Sequence, residues 1–144
     1  MNYSLLETLL HIISMLCVGF LEEVIFRGLL FKAMCKDGLK MAIIISSVTF
    51  GIGHIVNLFN GSGADLFSNL LQVAYAIAAG LVFTVMFLKS GSLWACILTH
   101  GALNASSVFA NQNMVTPTLQ ITTTIILCVI PIAYTMYLLR LKKE

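Results

Sequence analysis

Long apolar runs separated by short polar segments make up most of the chain. Five of these runs have the length of a helix, and none shows the alternation of a membrane β-barrel strand. Because a helix needs roughly 20 apolar residues to cross a bilayer, each run predicts one membrane span. The predicted spans are residues 8–31, 41–59, 66–88, 92–109 and 119–139. The pattern therefore predicts an all-α polytopic membrane protein, a bundle of about five transmembrane helices forming a single domain, 1–144.

The composition fits a membrane protein and excludes other classes. Of the 144 residues, 59% are hydrophobic and only 10% are charged, and the mean hydropathy is +0.98. Soluble domains carry about 25% charged residues, so an ordinary soluble domain and a disordered chain are both excluded. The formal net charge of +2 is too small for a surface that binds phosphates along a nucleic acid. The lipid bilayer is the first partner that the sequence predicts, and no nucleic acid is expected.

The distribution of basic residues predicts the orientation in the membrane. The loops at 60–65 and 110–118 contain no Lys or Arg. The remaining loop segments and the C-terminal segment carry the basic residues Lys32, Lys36, Lys40, Lys89, Arg140, Lys142 and Lys143. Since positive charge collects on the cytoplasmic side, the N-terminus is expected outside and the C-terminus in the cytoplasm. We expect an integral protein of the bacterial plasma membrane.

Three charged residues, Glu22, Glu23 and Arg27, stand inside the first predicted span. Near a helix centre each costs about 2.5–3.5 kcal/mol of insertion free energy. Glu23 and Arg27 are four residues apart with the acid first, which is the favourable order for a helical ion pair. Glu22 points about 100° away from Glu23 around the helix and has no local partner. The first span therefore needs neighbouring helices to hold it.

Histidine and asparagine side chains stand inside the second and fourth predicted spans. His54 and Asn57 lie in the second, and His100 and Asn104 lie one turn apart on one face of the fourth. At 1.5 Å per residue from the basic end of each span, Glu22, both histidines and Asn104 lie at depths of about 12–20 Å. These four side chains are therefore expected at one level, slightly cytoplasmic of the membrane midplane.

Each of these polar residues, taken alone, has a structural explanation, because a polar side chain in a span often only bonds to a neighbouring helix. Glu23 and Arg27 could likewise form a purely structural pair. Unrelated structural groups, however, have no reason to share a level. A carboxylate, two imidazoles and an amide in one buried layer therefore predict a site. The third and fifth spans are predicted to be scaffold.

The predicted site has the groups that hydrolysis needs. A carboxylate beside an imidazole in a poorly solvated pocket can act as a general base on water. A second imidazole and an amide one turn away can donate hydrogen bonds to a developing oxyanion. A base, a water and an oxyanion hole make a hydrolase, and the expected substrate is a peptide bond within or at the edge of the membrane.

The polar residues also form three motifs in order along the chain. These are Glu22-Glu23-x-x-x-Arg27, Phe50-x-x-x-His54 and His100-x-x-x-Asn104. With these motifs the chain resembles the family of CAAX proteases and bacteriocin-processing enzymes, also called the CPBP or Abi family. The resemblance covers about residues 15–110, the motif core, and implies an intramembrane endopeptidase.

The resemblance implies a role for each motif residue. Glu22 is implied to be the general base that activates water, assisted by His54. His100 and Asn104 are implied to stabilise the oxyanion, while the charged pair of the first motif holds the first span in place. The implied substrate is membrane-associated, with a prenylated tail or a bacteriocin leader as the two alternatives. Family members commonly have further spans before the first motif, so this chain is expected to be a minimal or shortened form.

Two other catalytic chemistries are compatible with these residues. Glu22, His54 and His100 could supply three zinc ligands and leave a fourth position for water. The sequence has no H-E-x-x-H, which is the usual helix-borne ligand pair, so catalysis without a cofactor is favoured. Cys96 and His100 are one turn apart and could form a thiolate–imidazole pair. A buried cysteine that packs within a span is the simpler explanation for Cys96.

Two non-proteolytic functions also stay open at this point. In a non-catalytic bacteriocin-immunity or interaction protein, the same polar residues would only hold helices together. Intramembrane carboxylates and histidines also serve as proton relays in transporters. The polar residues form one layer rather than a chain across the membrane, and this arrangement disfavours a component of a proton-coupled transporter.

Overall fold

The computed structural model describes residues 3–61, 63–110 and 115–141, and all regular secondary structure in these ranges is helical. The apolar helices are α1 (Leu5–Met34), α2 (Leu39–Leu58), α3 (Leu66–Ser90), α4 (Leu93–Phe109) and α5 (Pro117–Arg140). Each begins and ends within three residues of a predicted span. The prediction of an all-α polytopic bundle is therefore confirmed.

Some of the positions used to predict loops and orientation lie outside the described residues. They are residue 62 of the loop 60–65, residues 111–114 of the loop 110–118, and the basic residues Lys142 and Lys143. The orientation in the membrane therefore stays a prediction.

The helix α4 is shorter than the other four. It has 14 residues of α-helix followed by a three-residue 3₁₀ turn, which together span about 25 Å. The hydrocarbon core of a bilayer is about 30 Å thick. Within the described residues, four helices are long and apolar enough to cross a membrane on their own, and α4 is not among them.

Two helices change type at the positions of the motifs. The segment Val24–Phe31 of α1 is π-helical, and the segment His54–Leu58 of α2 is a 3₁₀ helix. Both types differ from an α-helix in the number of residues between the hydrogen-bonded groups, three in a 3₁₀ helix and five in a π-helix, and π-helical turns are frequent at functional sites. The apolar pattern of the sequence did not predict either change, because a pattern of apolar positions does not distinguish 3₁₀ or π turns from the α-helix that they continue.

The central helix of the bundle is α3. Both α2 and α5 pack along it, α4 also contacts it, and α1 packs mainly on α4. Glycines allow two close crossings. A Cβ on Gly51 would lie 2.7 Å from the backbone nitrogen of Ile77, and a Cβ on Gly19 would lie 2.9 Å from the Cα of Gly101. The α2–α3 and α1–α4 backbones approach this closely because those positions carry no side chain.

Candidate active site

A buried ion pair connects α1 with α3. Arg27 Nη1 donates to Glu23 Oε1 at 2.9 Å, and neither side chain is exposed. Arg27 Nη2 donates to the carbonyl oxygen of Gly80 on α3 at 3.0 Å, and the guanidinium lies 4.4 Å from the centroid of the Phe50 ring. Burying a charge costs free energy, which an opposite charge and hydrogen bonds offset. The ion pair that the spacing predicts is therefore present, and it attaches the π-helical part of α1 to α3.

The imidazole of His100, on α4, lies between the two glutamates of α1. Its Nδ1 donates to Glu23 Oε1 at 2.8 Å, and its Nε2 lies 3.4 Å from Glu22 Oε2. Asn104 donates from Nδ2 to His100 Nε2 at 3.1 Å. The imidazole stacks on the Phe83 ring of α3, with centroids 4.9 Å apart. One side chain thus contacts both carboxylates, an amide and the central helix.

With its carboxylate and amide neighbours placed as they are, His100 donates through Nδ1 and accepts through Nε2. The Glu23 carboxylate requires a donor at Nδ1, and the amide nitrogen of Asn104 requires an acceptor at Nε2. A proton on Nε2 would instead be directed to Glu22, and the amide of Asn104 would have to present its oxygen. The proton on His100 and the orientation of the Asn104 amide are therefore linked.

Glu22 stands at the boundary between this buried cluster and the accessible side of α1. Its side chain is 28% exposed. Its Oε2 is nevertheless buried and accepts no hydrogen bond from the described residues. A buried carboxylate oxygen without a donor provides a strong acceptor for a water molecule. The carboxylate of Glu22 therefore presents an acceptor at the edge of the buried cluster, and its role as general base stays a prediction.

His54 lies where the α-helical part of α2 ends. Its Nδ1 donates to the carbonyl oxygen of Phe50 at 3.0 Å. The Phe50 ring contacts the rings of both histidines, with centroid distances of 5.1 Å to His54 and 5.5 Å to His100. The histidine ring nearest to the Glu22 carboxylate is that of His100, with Nε2 3.4 Å from Oε2. The assistance of Glu22 by His54, which the resemblance implies, stays a prediction.

The helix α3, predicted to be scaffold, contributes three residues that contact the motif residues. They are the Gly80 carbonyl at Arg27, the Phe83 ring at His100, and Asn69, whose Nδ2 donates to the carbonyl oxygen of His54 at 2.9 Å. None of the three belongs to a motif. The sequence indicated these three residues only weakly. They lie on one face of α3, but residues that only pack against a neighbouring helix show the same spacing.

The geometry bears on the two other chemistries as well. Cys96 is buried, and its thiol donates to the carbonyl oxygen of Phe83 at 3.3 Å, which is a packing contact within the bundle. Across 3–61, 63–110 and 115–141, no three His, Cys, Asp or Glu side chains lie close enough together to hold a metal ion.

Comparisons with known proteins agree with the resemblance. A sequence model of the family described as type II CAAX prenyl endopeptidase Rce1-like matches residues 4–106, which include all the motif residues. The chain is also similar to YdiL of Bacillus subtilis (strain 168), a protein provisionally named as a membrane peptidase. They are 34% identical over 97 residues, which make up 67% of this chain and 34% of YdiL. The match thus spans about a third of that relative's length. No solved structure matches the chain.

Proposed function

This chain belongs to the family of Rce1-like type II CAAX prenyl endopeptidases, and from that premise we propose that it is an intramembrane endopeptidase. The observation that carries the proposal is that Glu22 Oε2 lies 3.4 Å from His100 Nε2, the nitrogen that accepts a hydrogen bond from the Asn104 amide. A carboxylate base and hydrogen-bond donors within reach of one water molecule are what peptide hydrolysis requires. The similarity to YdiL, itself named as a membrane peptidase, supports the same function.

In the proposed reaction, Glu22 accepts a proton from a water molecule while the water oxygen attacks the carbonyl carbon of the scissile peptide bond. The carbonyl oxygen becomes an oxyanion, which accepts hydrogen bonds from Asn104 Nδ2 and from His100 Nε2. In this step His100 carries a proton on both ring nitrogens, so that Nδ1 still donates to Glu23 and the Asn104 amide donates to the oxyanion instead of to Nε2. The C–N bond then breaks, and the leaving amine takes the proton that Glu22 accepted. His54 assists Glu22 in holding the water. One water is consumed, and a carboxylic acid and an amine are released.

The buried ion pair of Glu23 and Arg27 holds His100 in position for this reaction. Glu23 Oε1 accepts a hydrogen bond from His100 Nδ1 at 2.8 Å. This contact orients the ring so that Nε2 faces Glu22 and Asn104. Arg27 in turn holds Glu23 and is itself held by the Gly80 carbonyl. We therefore propose that Glu23 and Arg27 position the site, in addition to holding α1.

The proposed substrate is a membrane-associated peptide or protein. A prenylated C-terminal tail fits the name of the family, and a bacteriocin leader is the alternative. The proposed setting is the bacterial plasma membrane, with the N-terminus outside and the C-terminus in the cytoplasm. Catalysis is proposed to need no cofactor, because the carboxylate supplies the base and the amide and imidazole supply the donors.

The first test compares the termini of membrane proteins in cells that express the wild type or Glu22→Gln at equal levels. New termini should be present with the wild type, and Glu22→Gln should reduce them roughly 10²–10⁴-fold, the usual contribution of a general base. Asp37→Asn is the control, because Asp37 is exposed in the turn after α1. It should leave cleavage unchanged.

The other outcomes identify the alternative functions. Identical termini in all cells, together with bacteriocin protection that survives Glu22→Gln, would indicate a non-catalytic immunity or interaction protein. Stoichiometric zinc in protein purified without chelators, lost together with cleavage, would indicate a zinc endopeptidase. A proton flux in proteoliposomes that Glu22→Gln abolishes would indicate a transporter component.

A further inference from the structure

The carbonyl oxygen of His54 is bound by a buried amide from another helix, and we propose that Asn69 is a positioning residue for His54. This inference rests on the proposed function, because it assigns Asn69 a part in the same reaction. Asn69 lies on α3, is 1% exposed, and donates from Nδ2 to the His54 carbonyl oxygen at 2.9 Å. It belongs to none of the three motifs.

The contact is made where α2 changes its helix type. The α-helical part of α2 ends at Gly53, and His54 begins the 3₁₀ segment, with φ −69° and ψ −10°. The direction of the His54 carbonyl group is set by the backbone torsion ψ at this junction, and the Asn69 donor holds that group from another helix. The contact therefore fixes the backbone from which the imidazole extends relative to α3.

The local contacts of His54 do not fix its position relative to the other helices. Its Nδ1 donates to Phe50, and its ring packs against the Phe50 ring, so both contacts lie within α2. Asn69 relates His54 to α3. The same helix holds the rest of the site, since Phe83 stacks on His100 and Gly80 accepts from Arg27.

The surroundings of Asn69 require an amide nitrogen at this position. Nδ2 also lies 3.4 Å from Gln72 Oε1, which accepts a hydrogen bond from Asn57 Nδ2 at 3.0 Å. Two acceptors thus face the two hydrogens of one amide. The Oδ1 of Asn69 is buried and accepts no hydrogen bond from the described residues, so the donor side determines how the side chain is oriented. An apolar residue would leave the His54 carbonyl oxygen without this donor.

The test observes His54 directly by ¹⁵N NMR of histidine-labelled protein in detergent micelles. The chain has only three histidines, so substituting each in turn assigns the signals. Asn69→Leu removes the donor, and Asn69→Gln keeps an amide donor. Asn69→Ala, which removes the donor without adding bulk, replaces Asn69→Leu if that variant does not fold. Gln120→Leu is the matched control: Gln120 Nε2 donates to Ser68 on α3 at 3.1 Å, so it removes an amide contact to α3 that is not made to His54.

We expect Asn69→Leu to shift the ring nitrogen signals of His54, while those of His11 and His100 stay in place. The kcat for peptide cleavage should fall roughly 10- to 100-fold with little change in KM, as expected when a reacting group is misplaced. Asn69→Gln should recover most of the kcat and the His54 signals. Gln120→Leu should resemble the wild type in both measurements.

Unchanged His54 signals in Asn69→Leu would overturn the inference, whatever happens to kcat. Shifted His54 signals with an unchanged kcat would also overturn it, because the position of His54 would then not matter for the reaction. A wild-type protein that cleaves no substrate would instead contradict the proposed function. The NMR measurement separates these failures, since it reports on His54 without any turnover.

Discussion

At the scale of single residues, His100 contacts two carboxylates that are far from it in the sequence. Its Nδ1 and Nε2 face Glu23 and Glu22, although Glu23 is 77 residues away along the chain. The position of Glu22 on α1, about 100° around the helix from Glu23, predicts no partner within the helix. The basic group nearest to its carboxylate is indeed His100, which comes from α4. The Glu23–Arg27 pair, by contrast, is a contact within one helix, and its spacing was sufficient to predict it.

The buried ion pair predicts a strong stability effect. Arg27→Met leaves the carboxylate of Glu23 buried without its cation, and we expect a loss of about 3–5 kcal/mol in the free energy of unfolding. Glu23→Gln combined with Arg27→Met removes both charges and should cost less than the sum of the single changes. Denaturant unfolding of all four proteins in one detergent measures this double-mutant cycle. Additive losses would show that the two charges do not stabilise each other.

At the scale of helices, a glycine on α2 determines how close α2 lies to α3. A Cβ on Gly51 would meet the backbone nitrogen of Ile77 at 2.7 Å, whereas a Cβ on Gly53 would have only Phe26 at 3.9 Å. The two glycines look alike in the sequence because both lie in the same apolar run. Their difference arises from which side of α2 faces α3.

These two glycines therefore predict opposite effects of the same substitution. Gly51→Ala should destabilise the protein by about 1–3 kcal/mol, because the two backbones must move apart. Gly53→Ala should be neutral or stabilising by up to about 1 kcal/mol, since alanine favours the helix and no atom is displaced. Unfolding free energies of both variants in the same detergent provide the measurement. Equal effects would contradict the close crossing at Gly51.

At the scale of the whole molecule, α3 is the helix that contacts all three helices carrying the motifs. It packs along α2 and α5 and also contacts α4, and it binds the charged part of α1 through the Gly80 carbonyl. The helix α1 packs mainly on α4. The first span needs neighbours because it carries three charged residues, and α3 and α4 are the neighbours that accommodate them.

The orientation of the whole molecule can be measured with cysteine labelling. Cys35 is exposed just after α1, beside the basic residues that predict the cytoplasmic side. In a variant whose other three cysteines are alanine, a membrane-impermeant maleimide should label Cys35 only after the cells are permeabilised. Asn60→Cys in a cysteine-free chain should be labelled on intact cells. Reversed labelling would place the N-terminus in the cytoplasm.

The sequence by itself determined the helices, the residues of the three motifs and the Glu23–Arg27 pair. These features follow from apolar run length and from spacing within one helix, and both are local. The tertiary structure decided that Glu22 faces His100 and that α3 contributes Asn69, Gly80 and Phe83. Contacts between helices depend on which faces pack and how closely the backbones approach. A pattern of apolar positions does not specify that choice, because each of these helices is apolar on several faces at once.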